Sequence, residues 1–270
     1  MGTTLGIIGV GEIASAIVDG LCAQTAQSQT AQAPTADGAA IVLSPRGAER
    51  SARLATAYPH VEVAATNQEV IDRSDLVLLA VLPQQVEEVL SELDVPGETT
   101  LVSAVAGVSV AALEALLPHR PRVVRVIPLP AVRERRGITA VHPGHAPVEA
   151  LFDRLGGTVV ASTEAMFSTL SATTATMSAH FAYLETITEW LIAQGWARTD
   201  AEAVVRGQFV GLGTTLADTD TPIADLVAAH ETPGGLNAQV RSEWMDEGNR
   251  QRLSAALDAV LARVTGVPRP

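Results

Sequence analysis

No lysine occurs in this 270-residue chain; all 18 of its basic residues are arginine. That absence removes Schiff-base chemistry, pyridoxal-phosphate anchoring, phosphate binding by a P-loop lysine and any lysine general acid. Cysteine is almost absent too. Cys22 stands alone, which excludes an internal disulfide framework and fits a reducing compartment. Aromatic residues make up only 3% of the chain, and no apolar run reaches membrane-spanning length. The chain does not open on a basic segment followed by an apolar one, so a soluble, cytoplasmic protein with no membrane partner is expected. Positive charge is also scarce. A net charge of −12 is the wrong sign for a phosphate backbone, and nucleic acid is not expected as a partner. The six histidines and one cysteine show no ligand spacing, so no metal is expected. The G-x-S-x-G elbow of acyl transfer is missing as well.

What is present begins at residue 5. Leu5-Gly6-Ile7-Ile8 reads as an apolar strand, Gly9-Val10-Gly11 as a turn, and Glu12-Ile13-Ala14 as the start of a helix. Ile13, Ala16, Ile17, Gly20 and Leu21 fall at helical spacing. Gly9 permits the tight turn, Gly11 leaves room for a pyrophosphate, and Ala14 lets the helix pack on the strand. The free N–H groups of the helix start then face the phosphates.

The rest of the first half alternates in the same way. Strands are expected at Leu5–Ile8, Ile41–Ser44, Val61–Ala64, Leu76–Ala80, Thr100–Ala104 and Val123–Ile127, most of them continuous apolar runs as expected of strands covered on both faces. Helices are expected at Ala48–Ala57, Gln84–Leu93 and Val110–Leu117, the last capped by Ser109. Short strands at Thr139–His142 and Thr158–Ala161 close the domain. This is an α/β pattern: an N-terminal Rossmann-like doubly wound parallel sheet over residues 1–161. From Ser162 the pattern turns helical, with Glu164–Gln194, Asp200–Leu216 and Gln239–Val264. Residues 162–270 are therefore expected to form an all-helical dimerisation domain, to which a family resemblance adds a substrate role. Gln24–Ala40 has no periodicity and reads as a flexible surface extension.

The second strand ends Ser44-Pro45-Arg46-Gly47, with Arg50 and Arg53 behind it. No carboxylate stands there to hold a ribose 2′-OH. Either Arg46 and Ser44 hold a 2′-phosphate, which favours NADPH over NADH, or the arginines are a solvated helix start and NADH stays possible.

Further segments then fall into a familiar order. They are Asn67 ahead of Glu69, Val81-Leu82-Pro83-Gln84, Ser103-Ala104-Val105-Ala106-Gly107-Val108-Ser109, Arg122-Val123-Val124-Arg125-Val126-Ile127-Pro128 and Thr232-Pro233-Gly234-Gly235. Together with the opening turn they resemble the pyrroline-5-carboxylate reductase family over nearly the full length. The resemblance implies a dinucleotide domain followed by a helical domain that interlocks into a homodimer. It also implies hydride transfer from NAD(P)H to the C=N carbon of a cyclic imino acid, giving proline. The cofactor-binding positions expected from turn and resemblance are Gly9, Gly11, Glu12, Ile13, Ser44, Arg46, Asn67, Ala80, Val81, Pro83, Ala106 and Gly107.

The departures from that family gather on the substrate side. Leu82 replaces a lysine, Leu129-Pro130-Ala131 an Asn-Thr-Pro, and Leu236-Asn237 a Thr-Thr pair. Thr173-Thr174-Ala175-Thr176-Met177-Ser178-Ala179 aligns with the family's Ser-Gly-Ser-Gly-Pro-Ala-Tyr, which by resemblance holds the substrate carboxylate. Thr176 and Ser178 are the candidates for substrate contact, or else polar filling of an Ala-rich helix. His180 is either a proton source or an interface histidine. Tyr183, Glu185, His230 and Glu231 are further candidates, and Arg133-Glu134-Arg135-Arg136 reads as a solvated loop rather than an anion contact. Three functions remain open at this point. They are reduction of pyrroline-5-carboxylate or a related small-molecule imine, an eroded nucleotide sensor, and a dehydrogenase of a carbonyl or hydroxy acid. The third usually relies on a lysine that this chain lacks.

Overall fold

The computed structural model describes residues 3–23, 40–218 and 220–266. Apart from Ala40, the expected extension Gln24–Ala40 lies outside the described residues. The chain divides into two compact units, Met1–Ser171 and Ala172–Pro270.

The first unit is built on eight strands: β1 (Leu5–Ile8), β2 (Ile41–Leu43), β3 (Val61–Val63), β4 (Leu76–Leu79), β5 (Thr100–Ser103), β6 (Arg122–Ile127), β7 (Thr139–His142) and β8 (Thr158–Val160). They form one sheet in the order β3-β2-β1-β4-β5-β6-β7-β8. The helices between them are α1 (Glu12–Cys22), α2 (Ala48–Ala57), α3 (Asn67–Asp72), α4 (Val86–Ser91), α5 (Val110–Ala115) and α6 (Ala146–Asp153). Side chains alternate between the two faces of a strand, and the core follows that rule. Ile7 and Leu78 join Ile17 and Phe152 in a layer on one face, while Ile8, Val77 and Leu79 join Val70 and Val89 on the other.

Strands β1 to β6 pair in parallel. β7 then pairs with β6 antiparallel, Arg125 opposite His142, and β8 pairs with β7 in parallel. The wholly parallel sheet expected from the sequence is thus a mixed one at its far edge. The connection from β6 to β7 contains only a short 3-10 turn, Pro130–Glu134, and no crossover helix to bring the chain back.

That turn corrects a second expectation, because Arg133–Arg136 is not a solvated loop. Arg133 reaches Glu12 at 2.9 Å and Asp19 at 3.3 Å. Arg135 donates to the carbonyls of Gly20, at 2.6 Å, and of Ala23, capping the C-terminal end of α1. Gly20 makes this approach possible, since a Cβ there would lie 2.2 Å from the Val132 carbonyl oxygen. A run of charge in the sequence is here a clamp along one side of α1.

The helix α7 (Glu164–Thr174) is tied to the sheet at its start. Arg125 is buried on β6, with its guanidinium 2.8 Å from Glu164 and 4.6 Å above the ring centre of Phe167. Glu164 also accepts the Val110 N–H at 2.9 Å, so one carboxylate joins β6, α5 and α7.

The second unit holds α8 (Thr176–Ala193), α9 (Arg198–Leu216), α10 (Ile223–Ala229), α11 (Leu236–Trp244) and α12 (Glu247–Thr265). The single helix expected over Glu164–Gln194 is broken at Ala175, whose N–H bonds back to Ala172 while the Thr176 hydroxyl takes the Thr173 carbonyl. Threonine hydroxyls compete for helical carbonyls, and a Thr-Thr-Ala-Thr stretch invites such a break. Gln239–Val264, expected as one or two helices, holds two, the end of α11 and most of α12, separated where Asp246 caps α12 through the Asn249 N–H.

Candidate nucleotide-binding site

In an open α/β sheet, ligands collect at the strand ends where the chain order reverses. Here that point lies between β1 and β4, because β2 and β3 run off to one side of β1 and β4 to β6 to the other. A cleft of about 400 Å³ opens there. Its floor is the turn after β1. Gly9 has φ +92°, and a Cβ on it would stand 2.7 Å from the Ala80 carbonyl oxygen, so only glycine fits. Gly11 differs: nothing lies within 4 Å of where its Cβ would be. The space beside it is what an approaching phosphate needs.

Gly11 is also the N-cap of α1, and Gly47 the N-cap of α2; neither helix start receives a side-chain cap. Both glycines line the cleft, so two sets of uncapped N–H groups end there. Gly47 sits at φ +85°, and a Cβ on it would stand 3.0 Å from the Val10 carbonyl oxygen, so the start of α2 packs close against the turn.

Nine of the twelve residues expected to bind cofactor line this one cleft: Gly9, Gly11, Glu12, Ile13, Ser44, Arg46, Asn67, Ala80 and Val81. Pro83 lies in the short turn between Leu82 and Gln85, which do line it. Ala106 and Gly107 are exposed in the loop after β5 and stand outside the lining; Gly107 takes φ +73°. Ser44 is fully buried, and its Oγ accepts the Gly9 N–H at 3.1 Å, bracing the turn from beneath. Arg46 is exposed at the tip of β2 and forms no ion pair among the described residues. Its two neighbours are engaged: Arg50 faces Glu12 at 3.7 Å, and Arg53 meets Asp19 at 3.2 Å. Of the three arginines behind β2, Arg46 is the one in the cleft wall.

Asn67 opens α3, whose N-cap Thr66 accepts the Glu69 N–H. Its Oδ1 is buried and has no partner among the described residues. A buried amide oxygen without a donor is costly, and a bound group with a free donor would satisfy it. The residues therefore fit a dinucleotide: a glycine turn, two uncapped helix starts, an unpaired arginine and an unsatisfied amide. Ile8, Val10, Gly47, Leu82, Gln85 and Val89 complete the lining and were not among the cofactor positions expected from the sequence. The turn signal at Pro45-Arg46-Gly47 could have given Gly47, and the hydrogen bond from the Leu82 N–H to Gln85 Oε1, at 3.1 Å, follows from no local pattern.

Thr176, Ser178 and His180 lie on α8, in the second unit. The Thr176 hydroxyl donates to Thr173 at 2.8 Å, and Ser178 is exposed. His180 is exposed as well, and belongs to an aromatic cluster. Its ring meets the edge of Phe209 at 5.9 Å, Phe209 meets Tyr183 at 5.7 Å, and Tyr183 stacks on Trp244 at 4.8 Å. Glu231 pairs with Arg241, which holds its carboxyl below the ordinary carboxylate range. His230 bonds through Nδ1 to Leu226 at 2.7 Å. Among the described residues no group of three or more His, Cys, Asp or Glu gathers as a metal set. No helix of the described chain is long and apolar enough to cross a membrane.

Comparison with known proteins falls on both units. Residues 4–107 match the family described as NADP oxidoreductase, coenzyme F420-dependent, and residues 164–266 match the pyrroline-5-carboxylate reductase dimerisation family. The chain is 29% identical to the pyrroline-5-carboxylate reductase of Corynebacterium melassecola, covering 97% of each, and 27% identical to that of Mycobacterium leprae, covering 96% and 95%. Among solved structures, pyrroline-5-carboxylate reductase from Coxiella burnetii superposes over 100% of both chains with TM-score 0.83 at 22% identity. A reductive aminase from Aspergillus terreus, solved with NADPH4, cyclohexanone and allyl amine, covers 98% of this chain and 92% of its own with TM-score 0.61 at 16% identity.

Proposed function

We propose that this chain, which is similar over nearly its full length to pyrroline-5-carboxylate reductases, belongs to that family and uses NADPH to reduce the C=N bond of 1-pyrroline-5-carboxylate or a closely related imine. The observation that carries the reading is the Gly9 turn. Its positive φ and the 2.7 Å limit set by Ala80 leave backbone where side chains would stand, at a strand-order switch point.

When bound, the dinucleotide supplies the hydride. This chain's residues do the rest. The Gly9–Gly11 turn and the start of α1 hold the pyrophosphate through backbone N–H groups. Asn67 offers its amide to the adenosine side. Arg46 pairs with the 2′-phosphate, which is our reason for NADPH over NADH. Imine reduction asks little more than orientation and a proton on nitrogen. We assign substrate contacts to α8, through Ser178 and Thr176, and the proton to His180, whose ring is held by Phe209.

Leu82 and Leu236 are 64% and 81% exposed where the family resemblance places a lysine and a threonine. Neither can meet a carboxylate, which favours an imine related to pyrroline-5-carboxylate over that compound itself. The helical unit matches a dimerisation family and exposes large apolar side chains such as Phe181 and Val210, which supports a homodimer formed on this unit. The lone, unpaired Cys22 supports a cytoplasmic setting.

The test is NADPH oxidation followed by absorbance, first with pyrroline-5-carboxylate and then with a panel of cyclic imines. Turnover is expected with at least one imine. Bound NADPH without turnover on any of them would move the chain to the sensor reading.

A further inference from the structure

Glu12 is an unexpected neighbour for a phosphate. It is the first residue of α1 and stands in the cleft wall, so its negative charge lies beside the helix start that would receive an anion. Two arginines flank it. Arg133 donates to Oε1 at 2.9 Å and is itself held a second time, by Asp19 at 3.3 Å. Arg50 faces Oε2 at 3.7 Å and has no other ion pair among the described residues. It lies in the first turn of α2, four residues after Arg46, which has no ion pair among the described residues.

We propose that Glu12 stands in for a cofactor phosphate by holding Arg50 at the cleft edge, and that Arg50 exchanges Glu12 for the 2′-phosphate of NADPH, so that the pair helps to set cofactor choice. The inference rests on the NADPH reading above. Both partners are exposed, 53% and 63%, and an exposed, loosely spaced pair is weak and readily traded. A phosphate dianion offers a guanidinium two acceptors and more charge than a carboxylate does. Arg133 stays behind, tied to Asp19 as well, and keeps Glu12 neutralised once Arg50 has left. A cofactor without the 2′-phosphate gives Arg50 no reason to move.

The test is calorimetric binding of two fragments that differ in the 2′-phosphate, 2′,5′-ADP and 5′-AMP, alongside NADPH and NADH. It uses the full chain and its Arg46→Ala, Arg50→Ala, Glu12→Gln and Glu12→Gln/Arg50→Ala variants, with melting curves to confirm folding. Arg50→Ala is expected to weaken 2′,5′-ADP about tenfold and leave 5′-AMP unchanged. Glu12→Gln is expected to tighten 2′,5′-ADP severalfold, and most of that gain should vanish in the double variant, because the residues act as a pair. A preference of the native chain for 2′,5′-ADP that Arg50→Ala leaves undiminished overturns the exchange and leaves the NADPH reading intact. Equal binding of both fragments, with no effect of Arg46→Ala, overturns the NADPH reading and the exchange with it.

Discussion

The two units spend their apolar residues in opposite ways. Nearly all the fully buried hydrophobic side chains belong to the first unit; beyond Ser171 only Ala172, Ala201 and Val205 join them among the described residues. The helical unit instead keeps Phe181, Trp190, Val210, Ile223, Leu236 and Trp244 largely exposed. A sheet covered by helices on both faces closes its own core. A set of helices with this much apolar surface does not, and it needs a second surface to cover it. Hydrophobic content alone therefore does not tell a self-sufficient unit from one made to be shared; the size of the buried side chains does.

The strongest way to break this contrast is to charge the exposed face. Phe181→Asp with Val210→Asp is expected to convert a dimer into a monomer in sedimentation velocity while the first unit keeps its nucleotide affinity, since removing two large apolar contacts weakens association by about 3 kcal/mol or more. Sedimentation unchanged by both charges would place the interface elsewhere.

Gly9→Ala tests the first unit from within. The added methyl meets the Ala80 carbonyl at 2.7 Å in a backbone conformation that alanine disfavours. We expect a loss of about 1–3 kcal/mol of stability and no measurable NADPH binding, with the association state unaffected.

A third effect is confined to alkaline pH. Burial and the nearby Asp19 push the Cys22 thiol from 9.0 up to about 11, and burial with Asp19 also raises Tyr58. A group whose folded pKa is raised contributes stability that is fully present below the unfolded value and is lost as pH rises through the folded one. Stability should therefore fall by roughly 2–3 kcal/mol between about pH 9 and pH 11 on account of Cys22, with Tyr58 adding in the same direction. Melting curves of Cys22→Ala should show a flatter alkaline limb.

The smallest expected effect sharpens the contrast from the helical side. Arg198 on α9 meets Glu189 at 2.8 Å, but both side chains are more than half exposed. Arg198→Ala should leave melting and sedimentation unchanged, since exposed pairs contribute little. A clear shift in either would mean that this pair sits in the shared surface.

The sheet was legible because most of its central strands, such as Leu5–Ile8 and Leu76–Leu79, are continuous apolar runs of the right length. The direction of β7 was not, because strand direction depends on what connects two strands and leaves no mark on the alternation within one. The nucleotide cleft was legible for a related reason. Gly9 and Gly11 act through what they lack, and a missing side chain is visible in a sequence. The clamp on α1 was hidden, since Arg135 caps a helix that lies more than a hundred residues earlier in the chain. The break at Ala175 was hidden as well: three threonines and an alanine satisfy the helical period on either side of it.

One arrangement has a practical consequence. All three tryptophans, Trp190, Trp196 and Trp244, lie in the helical unit, and Trp244 is stacked at 12° on Tyr183. The first unit contains none. Intrinsic emission excited at the indole band therefore reports on the helical unit alone, with the nucleotide-binding half dark. On dilution, a red shift of that emission without change in the far-ultraviolet spectrum would record subunits parting while each remains folded, with no label attached.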